Sequence, residues 1–261
     1  MKNLPDYYHV PNFEKVFSFD KQHDYCVAIF VIDEGTKLHK QLDRMQNTDI
    51  NADVIIADGG SNDGSTNKEL LINKGVNTLL VKKETGKLGS QMRIAFSWAL
   101  QRGYKGIVVV DGNNKDSVNN INDFIVHLEN GYDHIQGSRF IPGGNAINTP
   151  LIRLCALKIL HVPLIRLASG YKYTDTTNGF RAYSRKLLES DKMALFRQEF
   201  TGYELHYYMA IQAVKENFKC IETPVTRTYP KGKVPTKISP IKGNLSLLKT
   251  LISACLGRYN L

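Results

Sequence analysis

The chain has 261 residues, 42% of them hydrophobic, with 34 Lys and Arg against 25 Asp and Glu, a formal net charge of +9. That content suffices for a substantial core in one large domain or two small ones and excludes a disordered chain. The positive balance points to anionic partners, whether nucleotides, phosphorylated lipids, membrane surfaces or nucleic acid, without choosing among them.

No basic n-region followed by an apolar run opens the sequence, and no apolar stretch approaches the roughly 20 residues of a membrane span, which predicts a cytoplasmic protein. Residues 1–24 read as an N-terminal extension. Residues 25–32 (YCVAIFVI), 54–57 (VIIA) and 107–110 (IVVV) are near-continuous apolar runs, the pattern of strands buried on both faces. Between the later runs, Leu88, Met92, Ala95, Phe96 and Ala99 share one helical face. Val118, Ile121, Phe124, Ile125 and Leu128 share another, with Gly131 placed to cap it. Strands alternating with helices predict a Rossmann-like α/β unit with a mostly parallel sheet and right-handed crossovers over about the first 140 residues. Beyond it, a helical stretch around 150–169, a polar loop at 171–181, a helix near 202–216 and a strand near 218–227 read as additions covering one edge.

Ligands of open α/β sheets bind beyond the carboxyl ends of the strands, where Asp58 follows VIIA and Asp111 follows IVVV. After Asp58, GGSNDGS is a tight turn in which Asp63 orients the loop or caps the next helix. Asp111 opens DGNNKD, a set of hard oxygen ligands suited to magnesium or manganese beside a diphosphate. Asp116, directly ahead of a helix, is expected to be its N-cap. The seven histidines show no HExxH spacing, the four cysteines form no CxxC pair, and neither GxSxG nor GxxxxGK[ST] occurs. A histidine metal cluster, structural zinc, a serine hydrolase and a P-loop are therefore not expected. The late basic residues lack interleaved aromatics, so nucleic acid is not an expected partner.

In order, DEG at 33–35, DGGSNDGS at 58–65, DGN at 111–113, GSRFIPGG at 137–144 and NGFRAYSR at 178–185 resemble family-2 glycosyltransferases. The branch most similar is that of the dolichyl- or polyprenyl-phosphate sugar synthases. The resemblance runs from about residue 25 to about residue 240. It implies a single GT-A catalytic domain over 25–240, followed by an amphipathic helix at 241–261. It also implies an inverting transfer from a nucleotide-diphosphate sugar to a polyprenyl-phosphate or glycan acceptor, in cell-surface polysaccharide or glycolipid synthesis. Asp33 and Glu34 then line the base pocket, and Asp58, with Gly59 after it, meets the base or ribose. Lys87 and Gly112 count among the donor-binding residues. Asp111 takes the first place of the family's DxD, with Asn113 in the second as a neutral metal ligand for Mg or Mn.

Arg139 and Arg181 resemble basic positions on the acceptor or diphosphate side, where a guanidinium fits phosphate oxygens in bidentate fashion. Asp175 matches an acidic position that orients the acceptor and takes its proton if the acceptor is a hydroxyl. Residues 227–237, RTYPKGKVPTK, resemble a mobile basic loop in which Arg227, Gly232, Thr236 and Lys237 fill the branch's arginine, glycine and serine-lysine places. Such a loop closes over the diphosphate and excludes water. Leu245, Leu248, Leu251, Ile252 and Cys255 recur at helical spacing; packing on the catalytic domain is the first expectation for that helix and contact with the cytoplasmic membrane face the second. Two other readings stay open: a nucleotide-sugar binder without turnover, motivated by Asn113, and a nucleotidyltransferase, whose glycine-rich signature on the first strand is missing.

Overall fold

A computed structural model describes residues 8–232 and 242–260. In chain order the elements are β1 (Phe13–Ser18), β2 (Tyr25–Val31), α1 (Thr36–Gln46), β3 (Asp53–Asp58), α2 (Lys68–Asn73), β4 (Val76–Lys82), α3 (Leu88–Gln101) and β5 (Gly106–Asp111). A 3₁₀ turn (Val118–Asn120) leads into α4 (Ile121–Glu129), then β6 (His134–Ser138) and β7 (Asn145–Ile147). Next come α5 (Leu151–Ala156), a π-helical turn (Leu157–His161), α6 (Val162–Ser169), β8 (Arg181–Ser184) and α7 (Arg185–Leu188). The chain continues with α8 (Glu204–Lys215), β9 (Cys220–Pro224), β10 (Thr226–Thr228) and α9 (Lys242–Cys255).

One eight-stranded sheet has the order β1-β4-β3-β2-β5-β8-β6-β9, with β1 and β8 antiparallel to their neighbours and the other pairings parallel. All seven residues of β2 are buried, as its unbroken apolar run requires of a strand covered on both faces. The period-2 alternation sends Cys26, Ala28 and Phe30 to a layer formed with α3 and α8. Val27, Ile29 and Val31 go to the opposite layer with α1 and α4. Gly131 follows α4 with φ +77°, the left-handed C-terminal position that glycine fills without a Cβ penalty.

The strand order creates the site. From β2 the chain winds outward through β3 and β4, then crosses back to place β5 on the other side of β2. This reversal opens a crevice at the strand C-termini. Register puts Asp58 opposite Val31 and Asp111 opposite Phe30, so the two aspartates flank the end of β2.

Two features differ from the sequence reading. Residues 13–18, inside the segment read as an extension, form edge strand β1 of the main sheet. The polar 171–181 loop leads into β8, an antiparallel strand inserted between β5 and β6. Helix α9 packs through Leu251 and Ala254 against Ile165, Tyr173, Tyr207 and Ile211, while Leu245, Ile252 and Leu256 stay exposed. Among the described residues no helix is long and apolar enough to cross a membrane.

Candidate active site at the strand C-termini

The loops after β2 and β3 are laced together by their own polar groups. Asp58 is buried, and its carboxylate accepts from the Ser61 amide at 3.1 Å and the Ser61 hydroxyl at 2.6 Å. The Ser61 hydroxyl accepts from Asp33 N–H at 2.9 Å, and Asp33 Oδ1 accepts from Asn62 N–H at 2.9 Å. Asp33 holds φ +46°, a left-handed conformation that an aspartate tolerates when its side chain bonds locally. Asp63 accepts from Gly35 N–H at 2.7 Å and from the Ser65 hydroxyl at 2.6 Å, so it orients the loop as the sequence suggested. Glu34 pairs with Lys37 at 3.3 Å. Gly59 N–H donates to Val31 O at 2.7 Å, and the Gln91 amide from α3 donates to Val31 O and Ala57 O, both at 2.8 Å, closing the ends of β2 and β3. Lys87 is exposed, and its N–H donates to Thr201 O at 2.8 Å, which ties the start of α3 to the loop before α8.

Asp111 ends β5 half-buried. Its Oδ2 accepts from the Asn113 amide nitrogen and from the Arg227 guanidinium, both at 3.2 Å. Gly112 N–H donates to Phe30 O at 2.9 Å, and a Cβ there would lie 3.0 Å from the Val31 side chain, so a larger residue would crowd the turn where it passes β2. On the other side Gly179 abuts the carboxylate: a Cβ on it would sit 3.3 Å from Asp111 Oδ1. The Asn114 amide donates to Gln41 Oε1 at 2.8 Å, anchoring the turn to α1.

Asp116 is not a helix cap. The following turn is capped by Ser117 without a side-chain bond, and Asp116 is fully buried as an ion pair with Arg227. Burial raises its carboxyl against the opposing pull of Arg227. Arg227, for its part, lies on β10 rather than on a detached loop. Its strand pairs with β7, and Ser117 N–H donates to Thr226 O and Thr228 N–H to Lys115 O at 2.9 and 2.8 Å. Lys237 and Thr236 lie outside the described residues.

A cationic wall faces these carboxylates around Tyr229. Arg227, Arg153 and Lys115 stand over its ring at 5.8, 5.5 and 5.1 Å. Burial alone would raise the Tyr229 phenol; Arg227, Arg153 and Arg139 outweigh it and hold the phenol below its ordinary range. Burial and then Arg227 push the Lys115 ammonium down, as crowding of like charges requires. Tyr203, just ahead of α8, has its phenol pushed up by burial and then by the Asp111 carboxylate. Lys115, Arg153, Tyr203 and Tyr229 were not singled out from sequence. Each is an ordinary surface type taken alone, and their convergence depends on β10 and α5 meeting the end of β5.

Arg139 and Asp175 face each other with 3% and 0% side-chain exposure. The guanidinium donates through Nε to Oδ2 at 2.6 Å and through Nη2 to Oδ1 at 2.9 Å, and also reaches Thr177 Oγ1 at 2.9 Å. Asp175 thus clamps Arg139, and with both oxygens engaged and no exposed surface it is not placed to take a proton from an acceptor. Glu222 supports the clamp by accepting from the amides of Thr174 and Asp175 at 2.9 and 3.0 Å. Arg181 is turned away from the crevice. It is buried and donates to the carbonyls of Asn178, His206 and Thr176 at 3.1, 2.8 and 3.1 Å, bracing the loop that carries Gly179.

Hard oxygen donors for a divalent cation are present at Asp111 and Asn113. Asn113 Oδ1 and Asp116 Oδ1 are buried without a hydrogen-bond partner, so two oxygen acceptors of this turn carry unmet bonding capacity. Among the described residues no three His, Cys, Asp or Glu side chains converge to hold a metal ion by themselves. The residues fit a cation that completes its shell with ligand oxygens, as magnesium and manganese beside a diphosphate do.

No family model matches the chain. A polyprenol monophosphomannose synthase of Mycolicibacterium smegmatis is 30% identical over 178 residues, 67% of this chain and 66% of that protein. An undecaprenyl-phosphate mannosyltransferase of Micrococcus luteus is 27% identical over 189 residues, 71% of this chain and 75% of that protein. The chain thus spans about two thirds of the mycobacterial relative's length. Among solved structures, glucosyl-3-phosphoglycerate synthase from Mycobacterium tuberculosis with phosphoglyceric acid superposes with a TM-score of 0.67 at 14% identity, covering 90% of this chain and 79% of that one. Its complex with Mn²⁺, UDP-glucose and phosphoglyceric acid gives 0.65 at 13% identity with the same coverage. With a mostly parallel sheet that carries paired carboxylates at its switch point, and with these relatives, the chain belongs to the family-2 glycosyltransferases and has their GT-A fold.

Proposed function

We propose that this glycosyltransferase moves a sugar, with inversion, from a nucleotide-diphosphate donor to a polyprenyl phosphate, with Mg²⁺ or Mn²⁺ held by Asp111 and Asn113. The observation that carries the reading is the juxtaposition of the Asp111 carboxylate with the wall of Arg227, Arg153 and Lys115 around Tyr229. One side suits a metal-bound diphosphate and the other a second phosphate. A cation bound there supplies charge neutralisation to the departing nucleotide diphosphate. The acceptor phosphate oxygen is already anionic, so its attack on the anomeric carbon needs no strong base, in keeping with the full engagement of Asp175 by Arg139. Asp33, Glu34, Asp58, Gly59 and Lys87 would shape the nucleoside side, and Gly112 lets the chain turn beneath the diphosphate.

A lipid acceptor calls for a membrane surface. The run 151–169 supports contact there: Leu151, Ile152, Cys155, Ile159 and Leu167 are exposed at helical spacing, and basic Lys158 and Arg166 flank them. Arg153, inside this run, stands over Tyr229, so the apolar stripe begins beside the cationic wall. Both relatives named for lipid-phosphate transfer, from M. smegmatis and M. luteus, support the acceptor class.

The deciding assay incubates the purified chain with Mn²⁺, radiolabelled UDP- and GDP-sugars and a short polyprenyl phosphate in detergent. Label extracted into the organic phase in an alkali-resistant, acid-labile sugar phosphate of inverted configuration is the expected result. Transfer only to added glycans, or binding of a nucleotide sugar without turnover, would overturn the reading.

A further inference from the structure

Asp111 Oδ2 is already engaged by two donors. It accepts from Arg227 and from the Asn113 amide, each at 3.2 Å. Its Oδ1 faces Gly179. Asn113 presents nitrogen to the carboxylate and keeps its own Oδ1 buried without a partner. A divalent ion held by Asp111 Oδ2 together with Asn113 Oδ1 would therefore displace the Arg227 contact and require a half-turn of the Asn113 amide that brings Oδ1 round.

Arg227 is built for the first of these moves. Its closer carboxylate is Asp116, fully buried five positions beyond Asp111, and the Arg227 backbone is held in β10 by the pairing with Ala146 and by the bonds of its neighbours to Lys115 and Ser117. One arm of the guanidinium is anchored while the other reaches the half-buried Asp111. The Asp111 arm can leave without the residue leaving the site, and an incoming diphosphate offers it a replacement oxygen with matching geometry.

We propose that Arg227 is the resident counter-ion of Asp111: it holds divalent-cation affinity down while the site lacks a diphosphate and transfers one arm to the diphosphate when donor and cation bind together. A cation approaching alone meets a full positive charge on the carboxylate it needs, whereas one arriving with a diphosphate brings the anion that relieves Arg227. Donor and metal binding are thereby coupled through one side chain. The inference rests on the donor reading above, but it is a statement about cation affinity and is measured without turnover.

The test is Mn²⁺ binding followed by electron paramagnetic resonance of the free ion, alone and with UDP or GDP, on the full chain. Arg227→Gln is expected to bind Mn²⁺ alone at least about tenfold more tightly than the unsubstituted protein and to lose most of the gain in Mn²⁺ affinity that a nucleotide confers. Because Arg227→Gln leaves Asp116 buried without its partner, the double variant Arg227→Gln/Asp116→Asn, checked by thermal unfolding, is measured beside it; it keeps Asp111 and Asn113 and is expected to show the same gain. Unchanged or weaker affinity for Mn²⁺ alone in the folded double variant overturns the proposal. Absence of any nucleotide effect on the unsubstituted protein counts against the donor reading instead, and leaves the comparison with Mn²⁺ alone to decide the role of Arg227.

Discussion

Replacing Asp175 with Asn is the most discriminating single change, because the same residue carries two incompatible expectations. As an acceptor base it would be dispensable for folding. As the partner of Arg139 it neutralises a guanidinium that is itself only 3% exposed and meets it through contacts of 2.6 and 2.9 Å. With both groups out of solvent there is little screening, and removing one member of such a pair costs about 3–5 kcal/mol, since a buried charge is left uncompensated. Against a total stability of about 5–15 kcal/mol that is a large share. It corresponds to a drop in Tm of roughly 6–20 °C for a chain of this size. Urea unfolding of Asp175→Asn followed by circular dichroism measures it. The double change Arg139→Met/Asp175→Leu is expected to recover much of the loss, because it removes both charges and keeps apolar volume. A loss below about 1 kcal/mol in Asp175→Asn, together with disappearance of the acidic limb of the kcat profile, would refute the clamp and restore the base.

Asp111→Asn is expected to abolish transfer while leaving unfolding by urea near its original midpoint, because the carboxylate is half-buried at a strand end; retained turnover with any sugar nucleotide refutes its assignment. Gly179→Ala places a methyl 3.3 Å from Asp111 Oδ1 at a backbone position without left-handed strain, so stability should hold while kcat/KM falls roughly tenfold as the carboxylate shifts. Ile152→Glu with Ile159→Glu, both on the exposed stripe, should reduce co-sedimentation with anionic vesicles without changing Tm; unchanged sedimentation removes this face from the membrane contact. Burial, reinforced by Arg181, pushes His134 down to about 3, and burial likewise depresses His206, so both stay neutral in the fold while the unfolded chain titrates near 6.5. Their contribution is complete above that value and is lost as pH falls from about 6.5 toward 3, at up to about 1.4 kcal/mol per pH unit for each; His134→Phe should flatten the slope of urea midpoints over this window.

The central strands were legible because a strand covered on both faces has to be apolar along its length, and 25–32, 54–57 and 107–110 are. Their C-terminal aspartates followed from the same geometry. β8 was not legible: four residues, RAYS, form an antiparallel strand only because β5 and β6 stand ready on either side. The edge strand β1, FEKVFS, shows neither a continuous apolar run nor a period-2 alternation, so it does not signal itself. Within the site, local reading misjudged residues whose partners are distant. Asp116 precedes a helical turn, where an N-cap is the economical expectation, but Arg227, 111 positions away, claims it. Arg181, in NGFRAYSR, reads from sequence like Arg139 as a basic group facing the ligand, yet α8 supplies the carbonyl of His206 and draws it inward.

These distant pairings also explain the polarity of the crevice. The Arg139–Asp175 pair cancels internally, so the charges lining or lying just beneath the crevice are Arg227, Arg153 and Lys115 against Asp111 and the buried Asp116, a small positive excess. A nucleotide diphosphate alone would reverse it, and a phosphate acceptor arriving next would meet a field of its own sign. A divalent cation entering with the diphosphate restores the excess, and the cationic wall then still attracts a second phosphate. A hydroxyl acceptor gains nothing from that wall. On the proposed reading, the arrangement of charge, more than any one side chain, favours two phosphates meeting across one cation, and a diphosphate would supply what Asn113 lacks as a ligand in place of a second aspartate.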